Sequence, residues 1–247
     1  MKIDLNCDVG EGYGYDAELM SIVTSANIAC GYHAGDAVTM KETVDLAIKN
    51  GVSIGAHPGY PDREGFGRRA KDISTPEIFE IITDQIFALQ QITSTAGGRL
   101  QHVKPHGALY NQAAKDPFLA GTIAAAVKTV DKDLILFGPA GSALIEAGSQ
   151  AGLRTAAEVF ADRTYLSDGS LTPRGEPNAL IDDVDKAVSQ IMAIITNLNV
   201  ATIDGGTLPL NADTICIHGD GANPVEFAQA IRDSLVKSGV EVASIGS

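Results

Sequence analysis

Short apolar, β-branched runs alternate with longer helical patterns along the whole of this chain. The strand candidates are residues 2–8, 25–31, 52–57, 100–105, 133–138, 154–160 and 213–218. Helical patterns fall at 16–23, 38–50, 75–96, 116–130, 140–151, 182–198 and 224–238. Strict strand–helix alternation calls for parallel strands joined by right-handed crossovers. Such strands either close into a barrel or stay open as a doubly wound sheet. The helix over 75–96 is well marked: Thr75 is its expected cap, Pro76 suits its first turn, and Gly97-Gly98 ends it. Two segments interrupt the order. Residues 166–181 are rich in Gly, Pro and Ser and hold Arg174. Residues 199–212 read as a hairpin, with Val200 to Ile203 and Thr207 to Leu210 flanking Asp204-Gly205-Gly206.

Side-chain alternation separates barrel from open sheet. In the first run Asp4, Asn6 and Asp8 share one face, and Ile3, Leu5, Cys7 and Val9 share the other. In the fourth, His102, Lys104 and His106 share a face. Polar residues there would be costly against helices covering an open sheet. Inside a barrel with a wet, hydrogen-bonded mouth they are tolerable. The pattern therefore favours an α/β, TIM-like parallel barrel of seven strands, with residues 1–247 read as one domain.

Composition narrows the function. A formal charge of −13 disfavours nucleic acid and anionic membranes as partners, because both need a basic face. No apolar run approaches the roughly 20 residues that span a bilayer. The start of the chain enters a strand directly, so no signal peptide is expected. Cys7, Cys30 and Cys216 form no CxxC pair and sit in strand-like runs. They read as reduced, buried thiols, and the expected location is cytoplasmic. Homo-oligomerisation is left open.

Four of the five histidines, His33, His57, His106 and His218, follow strand-like runs. Titratable residues at the carboxyl ends of successive strands are what a parallel barrel offers as an active site. Asp8 is a candidate base or metal ligand, with Glu11 a weaker one; the structural alternative is a solvated acid or helix cap. Asp8, His33 and His57 would suit a divalent metal with open positions, or the histidines only form hydrogen bonds. Asp36 reads equally as a helix cap. Lys104 is a candidate clamp on a carboxylate, phosphate or oxyanion, and otherwise half of an ion pair with Glu158 or Asp8. His106 and His218 are candidate acids. Glu158 is a candidate base, as is Asp220, unless Asp220 only forms a turn. Loop 58–71 gathers Arg63, Arg68, Arg69 and Lys71 with Asp62 among glycines, suiting an anionic ligand, an interface or plain solvent. Asn6, Arg63, Arg68, Arg69, Asp162, Arg163 and Asp220 are the substrate-binding candidates. No Gly-x-x-x-x-Gly-Lys-Ser/Thr loop and no Gly-x-Ser-x-Gly elbow occurs. Cys7 and Cys216 suit inert core positions better than nucleophiles.

Several longer stretches carry a resemblance. They are Asp4-Leu5-Asn6-Cys7-Asp8-Val9-Gly10-Glu11, Asn27-Ile28-Ala29-Cys30-Gly31-Tyr32-His33-Ala34-Gly35-Asp36, and Gly55-Ala56-His57-Pro58-Gly59-Tyr60-Pro61-Asp62. Gly65-Phe66-Gly67-Arg68-Arg69, His102-Val103-Lys104-Pro105-His106-Gly107-Ala108-Leu109-Tyr110, Glu158-Val159-Phe160-Ala161-Asp162-Arg163 and Ile215-Cys216-Ile217-His218-Gly219-Asp220 complete them. Together they resemble the LamB/YcsF family, in the right order from residue 3 to about residue 240. The resemblance implies a seven-stranded barrel of the glycoside hydrolase/deacetylase type. It implies the A component of an ATP-dependent bacterial 5-oxoprolinase, which opens 5-oxo-L-proline to L-glutamate with partner subunits B and C. ATP is then a co-substrate handled with those partners. Deacetylases of this barrel type commonly hold a metal with an Asp and two His, which supports Asp8, His33 and His57. Two rivals remain: a metal-dependent deacetylase or amidohydrolase on a small amide or sugar, and a ligand-binding regulatory protein without chemistry.

Overall fold

A computed structural model describes residues 1–221 and 223–246 of the protein. In chain order the elements are β1 (Lys2–Val9), α1 (Asp16–Met20), β2 (Ser25–Ala29), α2 (Ala37–Asn50), β3 (Ser53–His57), α3 (Thr75–Thr95), β4 (Leu100–Val103) and α4 (Gly107–Ala113). Then come α5 (Pro117–Val130), β5 (Ile135–Pro139), α6 (Ala143–Gln150), β6 (Arg154–Phe160), α7 (Val184–Asn197), β7 (Asn199–Ala201), β8 (Thr207–Pro209), β9 (Thr214–Ile217), α8 (Pro224–Lys237) and β10 (Glu241–Val242). Strands β1 to β6 pair in sequence, β6 pairs with β9, and β9 pairs back to β1. All these pairings are parallel, so seven strands close a barrel. The hairpin β7–β8 stands outside the ring, and β10 adds to the start of β1. The alternation of the sequence therefore became the barrel, not the open sheet. Strand β10 and the short α4 were not read from the sequence. Thr75 opens α3 but does not cap it; Ser74 holds that position, with no side-chain cap bond. Asp36 does cap α2, accepting from the Thr39 N–H.

Between barrel and helices the packing is apolar. Ile3, Leu5, Cys7 and Val9 point outward from β1 and are fully or almost fully buried with Ile82, Ile86 and Leu89 of α3 in the main core. Inside the barrel runs a polar column, with a small apolar cluster of Ile135, Phe137 and Ala156 beside it. At its floor the Asp4 carboxylate accepts from the hydroxyls of Thr24, Ser25 and Thr214 at 2.7, 2.6 and 2.5 Å. Above it Asn6 donates to Thr214 and Glu158 at 2.7 and 2.9 Å, and Asn27 donates to Asn6 and Asp8 at 2.7 and 2.8 Å. His102 stacks on Phe137 with ring centroids 4.3 Å apart and bonds the Asn27 side-chain oxygen at 2.8 Å. A buried amide or hydroxyl without a partner costs roughly 2–7 kcal/mol, so the column holds only because its members satisfy one another. Gly55 makes room for it: a Cβ there would lie 2.0 Å from His102 Nε2.

Candidate active site

The column opens at the carboxyl ends of the strands into a cleft of about 500 Å³. Lys104 follows β4 and is buried at the cleft's base. Its ammonium lies 2.9 Å from Asp8 Oδ1 and 2.9 Å from Glu158 Oε1, with Cys216 Sγ at 3.0 Å. Burial alone would lower the Lys104 pKa, but Asp8 and Glu158 outweigh it and hold the amine charged, well above its usual value. Burial likewise works against the Asp8 charge, and His57 and Lys104 overcome it, so its carboxyl stays well below the ordinary range. Glu158 is fully occupied: Oε1 takes Lys104 and Asn6, and Oε2 accepts the Tyr110 hydroxyl.

Beside Asp8 three histidines and Glu11 converge. His57 Nδ1 donates to the Lys104 carbonyl at 2.7 Å, and His106 Nε2 donates to the Phe66 carbonyl at 2.8 Å. These two bonds fix the tautomers and leave His57 Nε2 and His106 Nδ1 facing each other at 2.9 Å. Two lone pairs at that distance repel unless a proton or a cation lies with them. Burial disfavours charge on His57, but Asp8 and Glu11 raise its pKa, so the proton belongs on its Nε2. Burial and the nearby His57 press His106 far below its usual value. Glu11 approaches His33 Nε2 at 3.3 Å, His106 Nδ1 at 3.4 Å and His57 Nε2 at 3.8 Å. Burial, reinforced by Asp8, lifts the Glu11 carboxyl to about 7. His33 stacks flat on His106, centroids 3.8 Å apart, and burial pulls its pKa down to about 3. Its Nδ1 is buried with no hydrogen-bond partner. Gly67, at φ +63°, passes so close that a Cβ would lie 2.9 Å from both His33 and His106.

On the far wall His218 Nδ1 donates to Asp162 at 2.8 Å, the same carboxylate accepts the His218 backbone N–H, and the ring stacks on Phe160. At the mouth, Arg68 from the loop after β3 and Arg174 from the excursion after β6 both bond Asp220. A four-group set, Glu11, His33, His57 and His106, brings one potential ligand atom from each within 4.8 Å of the others; a second set is Asp8, Cys216 and His218.

The sequence candidates sort by place. Asp8, Lys104, His57, His106, His218, Arg68, Arg163 and Asp220 line the cleft, and Glu11 joins them. Asn6 and Glu158 lie behind it as buried supports, and Asp162 sits under His218. Arg63 and Arg69 do not reach the cleft. Arg63 bonds the carbonyls of Gly31 and Gly35, and Arg69 grips Asp62, so both brace the 58–71 loop. Arg163 lines the cleft but bonds the carbonyls of Thr172 and Ala179, tying down the excursion. Of the expected metal trio, His33 and His57 fall in one set with Glu11 and His106, and Asp8 lies beside that set, 3.3 Å from His57. Tyr110 and Arg174 were missed as site residues. Tyr110 follows His106 by one turn of α4, a helix the periodicity did not reveal.

Residues 3–247 match the profile of the LamB/YcsF family. A protein of Tolumonas auensis, named as the A component of 5-oxoprolinase, is 51% identical over 99% of each chain. A Bacillus subtilis protein of the same name is 53% identical over 99% of this chain and 97% of its own. Among solved structures, a lactam utilization protein from Thermus thermophilus superposes with a TM-score of 0.93 at 42% identity, covering 99% of this chain and 100% of that one. A family 4 carbohydrate esterase from Streptomyces lividans, 15% identical over 99% and 93% of the two chains, reaches a TM-score of 0.50 and shares the barrel fold. With a match that runs almost end to end, the chain belongs to the LamB/YcsF family.

Proposed function

We propose that this chain is the A component of an ATP-dependent 5-oxoprolinase. With partner subunits B and C it opens the lactam of 5-oxo-L-proline to L-glutamate, and ATP goes to ADP and phosphate. The reading takes residues 1–247 as one barrel domain working in the cytoplasm; its three cysteines are free and buried, and among the described residues no helix is long and apolar enough to cross a membrane. The observation that carries it is the closed network of Asp8, Glu11, Lys104 and the histidines at the barrel mouth. It gathers the acid, base and positive charge that amide cleavage needs. The relatives' shared name supplies the substrate.

The absence of a phosphate-binding loop in the sequence supports a division of labour. The γ-phosphoryl group passes to the lactam oxygen in the partners. Water then adds to the ring carbon in this barrel, the C–N bond breaks, and the nitrogen takes a proton. A second water releases phosphate and leaves L-glutamate. Ionised Asp8, or Glu11 with its carboxyl near 7, suits the role of base. Glu158 does not, because it lies buried behind the cleft with both oxygens engaged, whereas Asp8 lines the cleft. The Asp162–His218 pair supports His218 as proton donor over His106, whose two nitrogens are both engaged and whose pKa is far down. Lys104 and Arg68 bring positive charge to an anionic intermediate.

The donor set of three imidazoles and one carboxylate fits a divalent transition ion. His57 and His106 each turn the outer N–H to a backbone carbonyl, as metal-binding histidines do. Glu11, His33, His57 and His106 would hold it, and it would supply Lewis acidity next to the amide.

The test is ATP-coupled glutamate formation from 5-oxoproline with this chain added to, or omitted from, its partners. Full turnover by the isolated chain would sink the division of labour. A second reading, metal-dependent hydrolysis of a small amide without ATP, draws on the same histidine cluster. Metal analysis of chelator-treated protein and a nucleotide-free hydrolysis assay separate the two. A binding protein without chemistry predicts that Asp8 and Lys104 variants leave the turnover of the complex intact.

A further inference from the structure

The arginines of the 58–71 loop and of the excursion after β6 fall into two groups. Arg63, Arg69 and Arg163 are committed to the fold, through backbone carbonyls or Asp62. Arg68 and Arg174 are not. Among the described residues the Asp220 carboxylate is the sole hydrogen-bond acceptor of either guanidinium, with Arg174 Nη1 at 2.8 Å from Oδ2 and Nη2 at 3.4 Å from Oδ1. Three separate segments thus meet on one carboxylate at the cleft mouth, and the Asp220 side chain makes no other hydrogen bond among the described residues. Asp220 sits between Gly219 and Gly221, and a Cβ at either would meet nothing closer than 3.4 Å. The Arg68 guanidinium lies 4.8 Å over the Phe66 ring, and that ring packs edge-on against His33 and His106 at 5.7 and 5.3 Å. Arg68 therefore stands one aromatic ring away from the histidine cluster, and Asp220 ties Arg174 to Arg68.

We propose that Arg68 and Arg174 form the subsite for the substrate's carboxylate, and that Asp220 fills it in the free chain as an internal stand-in. This rests on the 5-oxoproline reading. In that molecule the carboxylate is carried by the carbon next to the ring nitrogen, so its subsite must lie beside the reacting amide. Two guanidiniums that already hold a carboxylate offer the charge and the donor geometry another carboxylate needs. Binding then exchanges one carboxylate for another across the same pair. The exchange opens the mouth, because Asp220 no longer joins the 58–71 loop to the excursion after β6. A phosphoryl group is recognised by the same chemistry, and the experiment distinguishes it.

Steady-state kinetics of the assembled complex tests this with Arg68→Gln, Arg174→Gln and Asp220→Asn. The readouts are the KM for 5-oxoproline, the KM for ATP, and inhibition by 2-pyrrolidinone, the same ring without the carboxylate. Each arginine variant is expected to raise the 5-oxoproline KM roughly 10- to 100-fold, the range of a lost charged hydrogen bond. Inhibition by 2-pyrrolidinone and the ATP KM should stay unchanged. Arg174→Lys should fall between wild type and Arg174→Gln. Asp220→Asn should lower the 5-oxoproline KM, because it weakens the internal competitor. Equal weakening of 5-oxoproline and 2-pyrrolidinone overturns the proposal, and a rise in the ATP KM alone assigns the pair to a phosphoryl group instead. A higher 5-oxoproline KM in Asp220→Asn makes Asp220 a positioning residue and removes the stand-in. Melting curves on each variant separate misfolding from lost recognition. Failure of the wild-type complex to open 5-oxoproline at all takes the parent reading down with this one.

Discussion

The floor and the mouth of the barrel are built from the same strands and behave differently. At the floor, Asp4 is ringed by three hydroxyls, and its pKa is raised by burial and only partly restored by those bonds. Further along the same face, Asp8 is held ionised between Lys104 and His57. The floor is a closed set of neutral donors around one acid. The mouth confronts two imidazole nitrogens, lifts one carboxyl to about 7 and leaves a buried ring nitrogen without a partner. The floor pairs its buried side-chain polar atoms, whereas the mouth keeps capacity to move protons or hold an ion.

The largest expected effect is at the join of the two regions. Lys104→Met removes the charge between Asp8 and Glu158, leaving buried Glu158 without a counter-charge and Asp8 with His57 alone. Stability should fall by roughly 3–5 kcal/mol, and kcat by roughly 10²–10³ if the charge also serves the reaction. The sequence posed these as alternatives, but the ammonium contacts both acids and lines the cleft, so both losses are expected. A melting curve and a rate from one preparation check it; unchanged stability would contradict the ion-pair geometry.

Asp8→Asn should cost about 10² or more in turnover with a much smaller change in melting temperature, as for a lost base or metal neighbour. Turnover at the wild-type rate would move Asp8 to the structural side of the comparison. Asp4→Asn should do the reverse. Its amide meets hydroxyls arranged for an acceptor, so stability should drop by roughly 1–3 kcal/mol while kcat and KM of the folded protein hold. A loss of kcat at full stability would erase the distinction between floor and mouth.

A smaller effect is read from pH. His102, between the two regions, is pulled from 6.5 to about 3, by burial first and then by Lys104. The folded state therefore binds its proton less well than the unfolded state. The stability it contributes is complete above about 6.5 and is lost as pH falls toward 3, with a slope of up to roughly 1.4 kcal/mol per pH unit. His33, also near 3, adds in the same direction. Denaturant midpoints across that window should fall less steeply in His102→Gln, and an identical slope would show that His102 does not titrate there. The smallest effect is expected at Arg69. Its guanidinium is largely exposed and engages Asp62 away from the cleft, so Arg69→Ala should leave the 5-oxoproline KM unchanged.

Much of this arrangement was legible in the chain because it depends on local periodicity. Alternation along β1 placed Asp4, Asn6 and Asp8 together, and the same rule placed His102 and Lys104 inward on the next-but-two strand. Strand ends followed by His33, His57 and His218 marked the mouth, since a parallel barrel turns all its strand ends the same way. What the chain could not reveal is which strand ends meet. Glu11 joins His33, His57 and His106 because ring closure brings loops far apart in sequence to one point, and spacing carries no trace of that. The division of the arginines is of the same kind: Arg68 and Arg69 are neighbours in sequence, yet one faces Asp220 across the cleft and the other turns back to Asp62. Tyr110 reaches Glu158 from the short α4, a contact across 48 residues of chain that spacing does not announce. Side-chain direction along a strand is set by the backbone period and is readable in advance. Distances between strands and loops are set by how the barrel closes, and only the tertiary structure decides them.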